Sequence, residues 1–600
     1  MKTKNFMKYT ALLVAFMLVF TGCKKDPKLV ADPNSYNSSN FPATLAQLKS
    51  VLGGVYAELR SEKMWGFDLH AHVIYSLDHT ADLGYLGDPS WSSLTQNTYL
   101  PSNSYVSHVW SGAYTGIQRA NTYLSALDYF RKNGAAASDS TELALQEGEV
   151  RFLRALDYFY LINLFGSASL QNGNAAAAEG VPLTTTTATT LSATRAGRST
   201  ARQVWDFIIS ELIIADQKLQ KKTWDAANVG RVGGWAPKAL LGKAYLFTGD
   251  YQKAKAVLKD VIDHSGKSLM PFDVYKNMFN GANEFNNESI FEINTQTDLS
   301  VQYGIFFTPN ITTSAGLIYA PTCMNVSDTS AISNGYGNSF MHDKNLSRFG
   351  FNLPIWKMVL NPGYDASKPA GPFNLMYRCD PAYVAQSRQL RAGKTIDPRL
   401  QVSALQPWVD SIYTDSGNVT VKRVVLRCSN VPSGLQPQYY AWSLRKYSPI
   451  YKNIFSVKGT DNANFYILRL ADIYLLYAEA CAQTGESGTA LEYINKVHRR
   501  AYGFNPDGAS AADYSSLSAP TLASDPVLAN QPLRYERWAE LFAEGQWWFD
   551  VIRWRIGEQE AAYYRQTIPG PIRWAANSYY FPVPTTELDD NRNMQQTQGY

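Results

Sequence analysis

From residue 45 to about residue 261 apolar positions recur at steps of three and four. The clearest runs are 45–59, 106–130, 143–165 and 204–219. That period predicts amphipathic helices, each burying one stripe. The Ala/Thr-rich passage 174–194 has few charges and no period, and predicts a surface loop. Further on, Leu241, Gly242, Tyr245, Gly249, Asp250, Tyr251 and Ala254 fall at the spacing of a tetratricopeptide helix pair. Ala478, Gly485 and Ala490 repeat Gly242, Gly249 and Ala254 at a constant offset of 236 residues. Small residues at these positions let two helices approach closely. Helix is also predicted for 465–483, 489–502 and 534–553, and an extended polar tail for 579–600.

The two helical hairpins bracket a stretch of different texture. Residues 283–462 are rich in Gly, Pro, Asn, Ser, Thr and Tyr, with short apolar runs at 289–293 and 419–426 that predict strands. The expected fold class is therefore mostly α: a scaffold of tetratricopeptide-like helical hairpins (41–282 and 463–600) holding a loop-rich, short-strand insertion (283–462). Long loops on a rigid helical scaffold are where binding sites concentrate.

The N-terminus adds an address. Lys2, Lys4 and Lys8 precede an apolar run from 9 to 20, and Thr21-Gly22-Cys23 follows. The run is shorter than the ~20 residues that span a bilayer, and the small pair before Cys23 suits cleavage there. Residues 1–22 read as a lipoprotein export signal, Cys23 as the lipidated first residue, and 23–40 as a flexible tether. No second long apolar run follows, so the body is expected to hang in water from a membrane.

Charge excludes one class of partner. Loss of the three leader lysines leaves 52 basic against 51 acidic residues, so nothing asks for nucleic acid. The unusual feature is 13% aromatic content, with 38 Tyr and 14 Trp. Tyr and Trp offer a flat apolar face with a polar edge, which suits stacking on sugar rings or peptides. Cys323, Cys379, Cys428 and Cys481 are widely spaced and form no zinc motif. Cys481 lies in a helical pattern as a small core residue, and a bridge among the other three is left open. His70 and His72 are two apart and diverge on a helix, so with His79 they read as packing residues rather than metal ligands. No nucleophile, phosphate-binding or cofactor motif is present.

Several passages, in order along the chain, carry a resemblance. Residues 149–160, Glu-Val-Arg-Phe-Leu-Arg-Ala-Leu-Asp-Tyr-Phe-Tyr, are closed by Leu164-Phe165-Gly166. Then come 238–249, Asn287-Glu288-Ser289-Ile290-Phe291-Glu292-Ile293, Asp397-Pro398-Arg399-Leu400 and 467–480. Arg534-Tyr535-Glu536-Arg537-Trp538-Ala539-Glu540-Leu541 with Glu544-Gly545, Tyr580-Phe581-Pro582-Val583-Pro584 and 591–600 complete the series. Together they resemble the SusD/RagB family of nutrient-binding outer-membrane lipoproteins of Bacteroidota. The resemblance implies a non-catalytic receptor that binds an oligosaccharide, or in some relatives a peptide, and delivers it to a SusC-like TonB-dependent transporter.

By position in that family, the ligand face is expected to use Asp82, Tyr85 and Trp91, then Tyr303, Phe306, Tyr319 and Tyr336. Trp91 is the leading candidate, because it sits in a turn-rich segment without helical period. A pure assembly scaffold is the non-receptor alternative. The enzymatic alternative rests on Glu536, Glu540 and Glu544, four residues apart on one helix face. Glycosidase carboxylates must flank the bond from opposite sides. The better reading of these three is structural pairing with Arg534, Arg537, Arg553 and Arg555.

Overall fold

The computed structural model describes residues 41–600 apart from 79–87, 167–177, 297–312, 314, 320–321, 326–330, 334–340, 356, 369–373, 375, 417–418, 428–441, 449–461 and 565–571. The principal helices are α1 (Leu45–Leu59), α2 (Pro89–Thr95), α3 (Ser104–Asn133), α4 (Ser140–Phe165), α5 (Ala201–Leu219), α6 (Ala236–Phe247), α7 (Tyr251–His264), α8 (Ala315–Tyr319), α9 (Leu470–Gln483), α10 (Ser487–Ala501), α11 (Pro532–Glu540) and α12 (Trp547–Trp554). One apolar core runs continuously from Leu48 to Met594. No helix among the described residues is long and apolar enough to cross a membrane.

The two predicted repeats form α6–α7 and α9–α10, and the hairpins pack on each other through α7 and α9. Asp250 and Glu486, each preceding the second helix of its hairpin, share nearly the same backbone angles (φ −85°, ψ 59° and φ −93°, ψ 59°). Gly242 is small for a reason: a Cβ there would lie 2.5 Å from Leu258 of the facing helix. Lys255 of α7 pairs with Glu486, tying the first hairpin to the second.

The insertion contributes short strands. β1 (Ser289–Ile293) pairs antiparallel with β8 (Phe465–Arg469), so the insertion leaves and re-enters the helical scaffold through one two-stranded ladder. Between them lie β2 (Thr322–Asn325), β3 (Ala331–Ser333), β4 (Met358–Leu360), β5 (Tyr377–Cys379), β6 (Ser411–Ser416) and β7 (Val419–Arg427), with β3-β2-β7-β6 as the largest sheet. Cys379 and Cys481 are free, buried thiols.

Three elements differ from the sequence expectation. Residues 465–469 are a strand rather than the first turns of a helix, because all five are buried, and a run buried on every side has no period to report. The predicted helix 534–553 is two helices, broken between Glu540 and Trp547, where Ala543 and Gly545 take left-handed φ of 59° and 73°. The C-terminal stretch is not wholly extended: Ala576–Tyr579 forms a 3₁₀ turn and Thr585–Asp590 a short helix.

A buried ion network locks these parts together. Arg469, at the end of β8, reaches Glu288 (2.7 Å), Glu540 (2.7 Å) and Glu544 (2.7 Å). Arg399 clamps Asp397 and Glu536, each at 2.6 Å. Arg500 of α10 joins Glu288 at 2.9 Å and also pairs with Glu540, while Lys446 meets Glu544 at 2.6 Å. A second cluster has Arg537 between Asp472 (2.9 Å) and Asp550 (2.7 Å). Most of these charged residues belong to the sequence passages quoted above, and Arg500, Lys446 and Asp550 join them from outside. Buried networks of paired charges tend to specify one arrangement, and losing one member leaves an uncompensated buried charge.

Candidate ligand-binding face

The predicted ligand-face residues fall on two stretches of sequence, and described residues of both, Trp91 and Tyr319, pack on one π-helical turn, Leu69–Ile74. The first is 79–87. Its leading foot is Asp78, a buried carboxylate that accepts hydrogen bonds from the backbone N–H of Gly545 (3.0 Å) and Trp548 (2.8 Å). Burial pushes Asp78 up to about 7, against the opposing pull of those N–H groups. Gly545 has to be glycine here, since a Cβ would lie 2.3 Å from Ile74 of the π-helical turn.

The trailing foot is Asp88. It caps α2, its carboxylate accepting from Trp91 N–H at 3.1 Å, with Pro89 in the first turn. That pairing is a standard helix start. Asp88 also accepts from the Tyr105 hydroxyl at 2.5 Å. Asp78 and Asp88, which flank 79–87 in sequence, are thus bonded to α12 and α3 respectively.

Trp91 is therefore helical and 2% exposed, not a loop residue with an open face. Its indole N–H donates to Ser76 Oγ at 3.0 Å, and its ring meets His72 edge-on with centroids 4.8 Å apart. His72 in turn stacks on Tyr105 at 4.2 Å and lies 3.2 Å from Asp68. The sequence signal for this was present in Asp88-Pro89, a cap followed by an N-terminal proline.

The second segment is the early insertion, and its described foot is α8. Tyr319 at the end of α8 is fully buried. Its hydroxyl donates to the His70 carbonyl at 3.2 Å, and its ring packs edge-on against the His70 ring with centroids 5.7 Å apart. His70 also contacts Phe465 (4.0 Å) and Tyr447 (4.9 Å), and burial pushes its pKa well below the usual imidazole value, so it stays neutral. Thr313 donates to the carbonyls of Trp65 (3.3 Å) and Gly66 (3.1 Å) just ahead of the π-helical turn. His70 and His72 sit in separate packing environments on that turn, among different aromatic neighbours, with Asp68 beside His72 alone. Sequence reasoning missed His70 as the hub, because a lone histidine in an apolar stretch carries no periodic signal.

Trp91 and Tyr319 are thus buried packing residues rather than open aromatic surfaces. Asp82, Tyr85, Tyr303, Phe306 and Tyr336 lie outside the described residues, as do His79 and Cys23.

The carboxylates of the enzymatic alternative are buried and paired. Their partners are not the arginines of the same segment: Arg399, Arg469, Arg500 and Lys446 meet them, together with His498 at 2.7 Å from Glu536. Arg537 and Arg553 serve Asp472, Asp550 and Glu479 instead. Arg534 and Arg555 lie over Trp554 (5.4 Å) and Tyr579 (4.6 Å) and form no ion pair among the described residues. Burial opposes ionisation of Glu536, but Arg399 and His498 outweigh it and hold the carboxyl at about 2. Arg500, Arg469 and Arg399 do the same for Glu540, also at about 2. A general acid must hold its proton near neutral pH and reach the leaving group, and these do neither.

The chain is similar to known proteins over nearly its whole length. A family model described as "SusD family" matches residues 287–600, and one described as "Starch-binding associating with outer membrane" matches residues 31–246. SusD-like protein P2 of Formosa agariphila is 22% identical over 597 residues, covering 98% of each chain. The solved structure of a laminarin binding SusD-like protein superposes with a TM-score of 0.61 at 21% identity, covering 92% of this chain and 99% of that one. Surface glycan-binding protein A from Bacteroides thetaiotaomicron gives a TM-score of 0.61 at 19% identity, covering 93% and 99%. With one family model matching residues 287–600 and a second matching 31–246, the chain belongs to the SusD family.

Proposed function

We propose that this protein is a cell-surface lipoprotein that captures an oligosaccharide and hands it, uncleaved, to a TonB-dependent transporter of the outer membrane. The observation that supports the reading is the packing of described residues next to both expected ligand-face segments on one turn. Trp91, shortly after residues 79–87, and Tyr319, in the early insertion, both pack on that one π-helical turn, through His72 and His70. Tyr85, Tyr303, Phe306 and Tyr336 would supply the stacking platform and Asp82 a hydroxyl acceptor. A family description of starch binding at the outer membrane and a laminarin binding neighbour support a glycan as cargo.

Residues 1–22 would direct export, Cys23 would carry the lipid, and 23–40 would let the body hinge over the transporter mouth. Tethering of this kind raises the effective concentration of cargo at the entry point. The reading is tested by incubating the mature protein with a panel of oligosaccharides and peptides and recovering the bound ligand. One glycan class recovered at its original chain length is the expected result. A shortened ligand would contradict the non-catalytic role, and recovery of peptides alone would move the cargo to the other class.

A further inference from the structure

Exposed apolar side chains gather on one arm of the insertion. Eight large apolar residues are exposed among the described residues, and three of them, Leu360 (65%), Met376 (48%) and Tyr377 (43%), lie on the hairpin of β4 and β5. Single exposed apolar residues are ordinary, whereas a cluster marks a contact surface. The register sets Leu360 opposite Tyr377 and Val359 opposite Arg378. Leu360 and Tyr377 therefore share one face, while Val359, Met376 and Arg378 share the other. Neither strand has a second neighbour among the described residues.

The arm is fixed on both sides of that cluster. At its root Cys379 is buried, and the Asp380 carboxylate accepts from Ala382 N–H at 2.9 Å to cap the helix Pro381–Ala392. The Tyr383 hydroxyl of that helix donates to the Pro354 carbonyl at 2.6 Å, just ahead of β4. Beyond the ladder, Asn374 Oδ1 accepts from Asp365 N–H at 2.8 Å, and its amide donates to the Asp365 and Lys368 carbonyls at 2.7 and 3.0 Å. A bare two-stranded ribbon is marginal in water, and this one is braced around side chains that stay exposed. Preorganisation of that kind lowers the cost of binding.

The chemistry of the patch selects its partner. Leu360 offers a sugar hydroxyl no hydrogen bond, and Met376 only a weak acceptor. A bilayer would have to take up the polar turn carrying Asp365 and Lys368, 41% and 71% exposed, before it reached Leu360. A second copy joined about the centre of β5 would set Arg378 against its own counterpart, and like charges directly opposite repel. Arg378 is exposed and makes no ion pair or hydrogen bond among the described residues. The nearby carboxylates are taken, Asp380 by Lys357 at 3.0 Å and Asp365 by Lys368 at 3.3 Å. Met, Tyr and Arg are enriched at protein interfaces, and an uncommitted guanidinium among apolar side chains is complemented by a carboxylate among apolar side chains.

We infer that the β4–β5 hairpin is a docking arm for the outer-membrane transporter, received by an apolar surface that presents a carboxylate to Arg378. The inference rests on the receptor reading, in which the transporter is the protein partner. It is tested on outer membranes holding the full chain: these are solubilised in mild detergent, the protein is recovered by antibody, and the accompanying transporter is quantified by mass spectrometry. Leu360→Ser combined with Arg378→Glu is expected to lower transporter recovery about tenfold or more at an unchanged melting temperature. In an otherwise unaltered chain, Tyr377→p-benzoylphenylalanine is expected to crosslink to transporter peptides on illumination.

Transporter recovery that is unchanged in the double variant overturns the docking arm and leaves the proposed function standing. A crosslink that reaches a second copy of this chain, or no protein while the transporter is still recovered, does the same. A parent chain that recovers no transporter overturns the arm and the transporter hand-off together.

Discussion

Tyr319 donates its phenolic hydrogen to the carbonyl of His70 across 3.2 Å, joining the insertion to the π-helical turn that leads into residues 79–87. The bond is buried on both sides. Tyr319→Phe leaves that carbonyl short of a donor without opening a cavity, and is expected to cost about 1 kcal/mol. The check is the urea midpoint of the variant against the parent. An unchanged midpoint would mean that the insertion is held elsewhere.

Arg469 is the most heavily committed cation, with Glu288, Glu540 and Glu544 all on its guanidinium. Arg469→Met removes the charge and keeps the volume, leaving Glu288, Glu540 and Glu544 to share Arg500 and Lys446. A loss of ~3–5 kcal/mol is expected, read from denaturant unfolding. Because the network joins both ends of the insertion to the helices, that loss should appear in a single cooperative transition.

Acid should unlock the same network. Glu536 and Glu540 are held at about 2 in the folded chain against an ordinary 4.5. A folded value below the unfolded one contributes stability that is complete above the unfolded value and is lost as pH falls through the folded one. Urea midpoints should therefore drop steeply as pH falls from 4.5 towards 2. A midpoint that stayed level through that window would show that the carboxylates are not ionised in the folded protein.

Asp78 has the opposite sign. Its folded value of about 7 lies above the ordinary 3.8, so the folded chain holds a proton that the unfolded chain has released. Its contribution is complete below 3.8 and is lost as pH rises to 7. Asp78→Asn should remove that component and flatten the stability profile between those limits. The comparison is the difference in urea midpoint between the two ends of the window, for parent and variant.

Much of this fold is written in periodic signals. The helix pairs announce themselves through Gly242, Gly249 and Ala254 and their counterparts 236 residues on, because close helix approach demands small residues at fixed spacing. The strand at 289–293 is bounded as the apolar run predicts. What escapes the sequence is long-range pairing. Glu536 and Glu540 share a helix with Arg537, yet their cations come from 399, 469 and 500, and no local pattern records which distant arginine arrives. Trp91 shows the same limit at the site: its loop-like surroundings hide a capped helix whose one buried polar contact, Ser76, lies fifteen positions away.

The central claim is that the loops bind glycan while Trp91 only supports them, and one titration separates the two roles. The affinity of the mature protein for its recovered oligosaccharide is measured in Tyr85→Ala, Tyr303→Ala and Trp91→Phe, with unfolding followed alongside. The account predicts a loss of about tenfold or more, ~1.4 kcal/mol, for each loop variant at unchanged stability. Trp91→Phe should lose stability and keep its affinity. Affinity untouched by both loop variants, or abolished by Trp91→Phe at full stability, would contradict it.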